Sequence, residues 1–190
     1  QVFRVLKNGG EFYFSDVNSN KRIPDILKKD KILLGECLSG ALYWNDFINL
    51  SKQCGFIDIR LVKYNKISIN NKELEKLVGD IEFYSATYRL FKLSNELEPN
   101  WEDYGQSVIY KGSINNNRDY WDLDIKHRFK KGKNTLVCGN TWNMLYQTRF
   151  RQHFDFIGNF DNHYGIFEGC GKNIPFKNDN DNNNISSNCC

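Results

Sequence analysis

Six cysteines, at positions 37, 54, 138, 170, 189 and 190, are the residues of this 190-residue chain best equipped for chemistry. A thiolate is a nucleophile and a soft ligand, suited to thiophilic metals and metalloids. An even count also permits three disulfides. Uneven spacing without an export signal instead reads as reduced or soft-metal-binding cysteines in a cytoplasmic chain. Cys54, beside the helix-stopping Gly55, reads as structural. Cys170 lies between two glycines, flexible enough for a resolving thiol, and the adjacent Cys189 and Cys190 could hold one thiophilic atom or form a redox pair. Asp16 ends a predicted strand, where doubly wound sheets place ligands, so it is a candidate for the cofactor crevice.

Other polar groups carry less. His127, His153 and His163 lack metal-ligand spacing and read as surface or interface residues. The neighbouring acids Glu102 and Asp103 are expected to point apart and solvate. Basic residues between 126 and 133, interleaved with His127 and Phe129, read as a solvated hairpin face rather than a phosphate site.

Composition sets the frame. Twenty-six basic against 23 acidic residues leave a net charge of +3, with no dense basic stripe, which argues against a nucleic-acid partner. Fourteen Phe, ten Tyr and four Trp predict an ordered aromatic core. No apolar run approaches the roughly 20 residues that span a bilayer, so no membrane partner is expected. The chain opens at Gln1 inside an amphipathic pattern, as a piece of a longer protein would.

The elements that must position these residues follow from pattern. A helix end at 5–7 runs through Asn8-Gly9-Gly10 into a strand at 11–15. Pro24 starts a short helix. A second helix covers 44–53 with Phe47, Ile48 and Leu50 on its apolar face. Extended pieces follow at 57–62 and 66–69. Asn70-Asn71 caps a helix ending at Gly79, and 83–91 is a long aromatic strand pairing with 57–62. Beyond residue 94 short strands at 107–110, 120–123, 136–138, 154–158 and 164–167 surround a helix at 142–150. Residues 177–190 are Asn-rich, low in complexity and expected to be disordered, with the cysteine pair at their end.

Two segments carry a family resemblance. Arg4-Val5-Leu6-Lys7-Asn8-Gly9-Gly10, followed by an apolar strand, resembles the turn before the fifth strand of class I S-adenosylmethionine-dependent methyltransferases, with Asn8 for the usual Pro. Leu34-Gly35-Glu36-Cys37-Leu38-Ser39-Gly40-Ala41-Leu42-Tyr43-Trp44 is similar to a block of the arsenite methyltransferases. Further blocks at 78–80, 85–92, 102–106, 137–141 and 158–160 extend the likeness over residues 1–176.

The resemblance implies an α/β fold. Residues 1–93 would be the C-terminal part of a Rossmann-like class I methyltransferase sheet (strands five to seven), residues 94–176 a small α+β domain, and 177–190 the tail. It implies S-adenosylmethionine as methyl donor, its glycine-rich loop lying outside this chain, and transfer of methyl to thiol-bound trivalent arsenic. Partners would be arsenite or its thiol conjugates and a thiol reductant of glutathione or thioredoxin type. Cys37 matches the family's arsenic-ligating cysteine; Cys138, Cys189 and Cys190 are the other candidate sulfurs. The chain departs from the family at Ile81 and Trp101, where relatives place cysteines. Two alternatives stay open: a class I methyltransferase of another small substrate, and a non-catalytic, thiol-based metalloid-binding module.

Overall fold

The computed structural model describes residues 1–168; Cys170, Cys189, Cys190 and the Asn-rich tail lie outside the described residues. Four strands, β1 (Glu11–Ser19), β2 (Leu42–Tyr43), β3 (Ile59–Lys66) and β4 (Phe83–Phe91), form a sheet in the order β2-β1-β4-β3. β4 is antiparallel to both long neighbours, and its full length pairs with β1, from Glu11 opposite Phe91 to Ser19 opposite Phe83. β2 runs parallel to β1 and pairs only at Asn18 and Ser19.

Pairing explains where strands outrun the pattern. Asp16 and Asn18 are poor strand formers, yet each has a partner on β4, and tertiary pairing overrides propensity. β1 therefore ends at Ser19, and Asp16 stands within it, opposite Ala86 and exposed, rather than at its end. In place of two extended pieces at 57–62 and 66–69 there is one strand, β3, which ends at Lys66 and leaves 67–69 outside it; its register shifts between Leu61 and Lys63, where a bulge absorbs the extra residue.

Five helices cover the sheet: α1 (Val2–Val5), α2 (Asp25–Lys28), α3 (Lys31–Gly35), α4 (Trp44–Gln53) and α5 (Lys72–Val78). The Asn71 carboxamide caps α5, accepting from the Glu73 and Leu74 amides. Even-numbered residues of β1 and β4 face α1 and α4: Phe14 and Tyr88 meet Phe47, and Phe12 meets Phe56. Leu50, expected on the buried face of α4, is 51% exposed. On the opposite face Val17 and Phe83 pack with Leu27, Leu33, Leu38, Leu74 and Val78 from α2, α3, α5 and the loop after α3.

At the other end of that face, Phe91 joins an aromatic core with Trp121, Phe129, Phe150 and Phe154. Around this core lie β5 (Glu102–Asp103), β6 (Ser107–Tyr110), β7 (Tyr120–Asp122), β8 (Arg128–Lys130), β9 (Asn134–Leu136), β10 (Phe154–Ile157) and β11 (Gly165–Ile166). They form a three-stranded sheet β10-β6-β9 and two pairs, β11-β5 and β7-β8. The helix α6 spans Gly139–Tyr146, earlier than the 142–150 expected from sequence. Residues 139–145 are all buried, so no apolar stripe marked its limits. Gly9, at φ +77°, lies where a Cβ would come within 2.6 Å of the Gln147 carbonyl oxygen, so the seam requires glycine there.

Candidate functional site

Cys37 owes its position to how α3 ends. Asp30 caps the helix start, accepting from the Ile32 and Leu33 amides. At the other end the Cys37 amide donates to Leu34 O at 3.1 Å and the Leu38 amide to Leu33 O at 2.9 Å. These two bonds make a Schellman motif in which Cys37 takes the left-handed position usually held by glycine. Its φ is +60°. Leu33 and Leu38, which flank the motif, both enter the buried cluster beneath, while Cys37 remains exposed. A left-handed conformation costs a non-glycine residue about 1–2 kcal/mol. The burial of Leu33 and Leu38 holds the exposed thiol in this conformation, which makes Cys37 a candidate for function. The loop then enters β2, which pairs with the carboxyl end of β1, the end at which open α/β sheets receive ligands.

Cys138 has a different setting. It is the N-cap of α6, its sulfur 3.3 Å from Thr141 Oγ1 and 3.5 Å from the Thr141 amide. Burial pushes its thiol pKa up, against the opposing pull of Arg60 and Thr141, which keeps it protonated and a weak ligand. It belongs to the second aromatic core's surroundings, whereas Cys37 stands over the α2–α3–α5 cluster, and the two are not brought together. Cys54 is the exposed C-cap of α4. Among the described residues no group of three or more His, Cys, Asp or Glu could hold a metal ion.

The two departures from the family are resolved differently. Ile81 packs against the cluster that receives Leu38, the neighbour of Cys37. Trp101 is committed elsewhere: its indole N–H donates to Asp58 Oδ2 at 3.0 Å and its ring lies 5.7 Å from the Arg60 guanidinium carbon.

That contact belongs to a buried network which sequence reading missed. Arg60 Nη2 donates to Asp58 Oδ2 at 2.8 Å and to Thr141 Oγ1 at 3.2 Å; Nη1 donates to Asp124 Oδ2 at 3.1 Å. Asp124 Oδ1 lies 2.7 Å from His127 Nδ1 and accepts from the Lys126 and His127 amides. Burial opposes both charges. Asp58 and Asp124 nevertheless raise the Arg60 pKa, and His127 and Arg60 hold the Asp124 carboxyl well below the usual range. The network ties β3 to the elements beyond residue 94. Its one local signal was Asp58-x-Arg60, two charges on the same face of a strand start otherwise flanked by Ile57, Ile59 and Leu61.

Asp16 accepts the amide of Val17 and, after burial, is the charge that raises Tyr88, whose hydroxyl donates to Asn18 Oδ1 at 2.6 Å. Asp16 lines neither of two hollows found among the described residues, both of which are bounded by residues beyond 110. Of the remaining polar groups noted in the sequence, Glu102 lies 3.0 Å from His163 Nε2, and His127 is buried rather than superficial.

Fold and site together define a class: the closing, antiparallel part of a class I methyltransferase sheet, joined to a small α+β region. Residues 104–190 match the family profile described as the arsenite methyltransferase C-terminal domain. The arsenite methyltransferase of Aquipseudomonas alcaligenes is 54% identical over 176 residues, covering 93% of this chain and 51% of that protein. The human arsenite methyltransferase is 42% identical over 154 residues, covering 81% of this chain and 40% of its own length. The crystal structure of an arsenic(III) S-adenosylmethionine methyltransferase from Chlamydomonas reinhardtii superposes with a TM-score of 0.83 at 46% identity, covering 87% of this chain and 55% of that one. The chain corresponds to the C-terminal portion of these arsenite methyltransferases. It spans about half the length of the relatives it matches.

Proposed function

We propose that this chain supplies the arsenic-holding half of an S-adenosylmethionine-dependent arsenite methyltransferase acting in the cytoplasm. The observation that carries the reading is the exposed Cys37 thiol, held in a glycine conformation at the carboxyl end of the sheet. Cys37 is the arsenic ligand on this account, with Cys189 and Cys190 as further sulfurs and Cys138 kept to its helix cap by burial. Arsenite or its thiol conjugates are the substrate, and a glutathione- or thioredoxin-type thiol the reductant.

The donor's main binding loop is assigned to the part of the relatives' length that this chain does not span. Among the described residues, the edge of β1 away from β4 pairs only at Asn18 and Ser19, which leaves 11–17 open to a further strand. Asp16 is then one acceptor at the rim of a site completed from elsewhere. This chain's own contribution is to bind arsenic and fix its direction, and positioning of that kind can lower a barrier by roughly 7–11 kcal/mol.

The test joins the chain to the corresponding N-terminal part of the Aquipseudomonas alcaligenes relative and measures methylated arsenic formed from arsenite and S-adenosylmethionine. Product from the joined protein, lost in Cys37→Ser, supports the proposal. Undiminished product in Cys37→Ser would remove Cys37 from the site.

A further inference from the structure

A hollow in the described structure is lined by residues far from Cys37 in sequence. It is a groove of about 690 Å³ lined by Lys111, Arg149, Arg151, Asp155 and, among others, Tyr146 and Phe156. Phe154, Asp155 and Phe156 of its wall belong to β10, the outer strand of the sheet β10-β6-β9. β10 pairs with β6 along one side, and among the described residues nothing pairs with its other side. An unpaired strand edge offers a row of backbone donors and acceptors, the template for adding an extended peptide.

The flanks say what such a peptide would carry. Three cations line the groove against one carboxylate, and that carboxylate, Asp155, is already held 3.0 Å from Lys111 Nζ. Arg149 shares Glu11 at 2.8 Å, with its own side chain 69% exposed. Arg151 stacks 4.0 Å from the centre of the Tyr146 ring, and its guanidinium donates to the Tyr146 hydroxyl. Stacking fixes the guanidinium in place without neutralising it. The local field is positive: beyond burial, it is Arg149 and Lys111 that keep His153 below its ordinary value.

We infer that the groove along the free edge of β10 binds an extended acidic peptide segment of a partner protein, by strand addition to β10 with acidic side chains paired to Lys111, Arg149 and Arg151. Backbone hydrogen bonds supply the alignment and the cations the preference for acidic sequence. Such a surface would let the enzyme dock on another protein without engaging its chemistry.

The experiment uses the full 190-residue chain and a fluorescein-labelled, acetylated peptide of alternating Glu and Val, with a Gln-Val peptide and free citrate as comparisons. Fluorescence anisotropy reads affinity and hydrogen exchange reads the amides of residues 154–157. The Glu-Val peptide is expected to bind and to slow exchange in β10. Lys111→Glu combined with Arg151→Glu, both exposed positions, should weaken it by about tenfold or more while the thermal unfolding midpoint is unchanged, and added salt should weaken it too. Equal binding of the Gln-Val peptide, an unaffected double variant, or no binding at all would overturn the inference. So would citrate competing fully while β10 exchange stays unaltered, since that describes a small-anion site. Concentration-dependent self-association with the same protection would assign the edge to a second copy instead.

Discussion

The guanidinium of Arg60 on β3 lies 3.1 Å from the carboxylate of Asp124, and the two side chains are 4% and 5% exposed. They come from opposite sides of the seam between the four-stranded sheet and the aromatic core beyond residue 94, so this pair fixes one part on the other. Removing Arg60 strands two buried carboxylates, Asp124 and Asp58, which costs about 3–5 kcal/mol. Arg60→Met is expected to lower unfolding free energy by that order in urea titrations, and Asp124→Asn by less, because Arg60 keeps its bond to Asp58. The double variant should lose less than the two single losses summed, as a coupled pair requires.

The same pair sets an acid limit. The Asp124 pKa is lower in the folded chain than in the unfolded one, because His127 and Arg60 outweigh burial. A depressed carboxyl stabilises the fold fully above its unfolded value, near 4, and that stabilisation disappears as pH falls through the folded value. Unfolding followed by near-UV circular dichroism should show wild type losing stability steeply below about pH 4. Asp124→Asn should start less stable and show a flatter decline over that window. Equal slopes would mean that other carboxylates set the limit.

Cys37 should trade stability for chemistry. Its φ of +60° suits glycine, so Cys37→Gly is expected to raise unfolding free energy by about 1 kcal/mol. Cys37→Ser keeps the strain and should give no such gain. Both variants should lose arsenite binding at this position. A stability gain with binding lost would mark the strain as serving the thiol.

Ile81 and Trp101 answer differently to cysteine. Ile81→Cys places a second thiol against the cluster that seats Leu38, and chelation by two linked sulfurs should tighten arsenite binding by at least about a hundredfold. Trp101→Cys deletes the donor to Asp58 and the ring beside Arg60. It is expected to destabilise the chain by about 2–3 kcal/mol without tightening arsenite binding. Isothermal titration with arsenite and urea unfolding on both variants separate the two effects.

Local signals carried much of the fold. β4 was legible at its full span because aromatic and β-branched residues mark a strand, and α5 because Asn71 and Gly79 punctuate it. α3 was not foreseen, although it is what presents Cys37; at Lys31–Gly35 it is too short for a periodic stripe. The limits of α6 were misplaced because a helix buried all round has no amphipathic contrast. For the proposed site, Cys37 was singled out by its block, while its left-handed backbone left no local mark, since that depends on Leu33 and Leu38 burying together. His127 read as superficial because its partners, Arg60 and Asp124, meet it only through the fold. Pairings at such sequence separation leave no local pattern.

The central claim is that Cys37 binds trivalent arsenic. The most direct measurement is arsenite affinity of the chain carrying Cys189→Ser and Cys190→Ser, compared with the same protein carrying Cys37→Ser as well. The account predicts measurable binding in the first and its loss in the second, with Cys138→Ser having little effect. Equal affinity with and without the Cys37 thiol would contradict it.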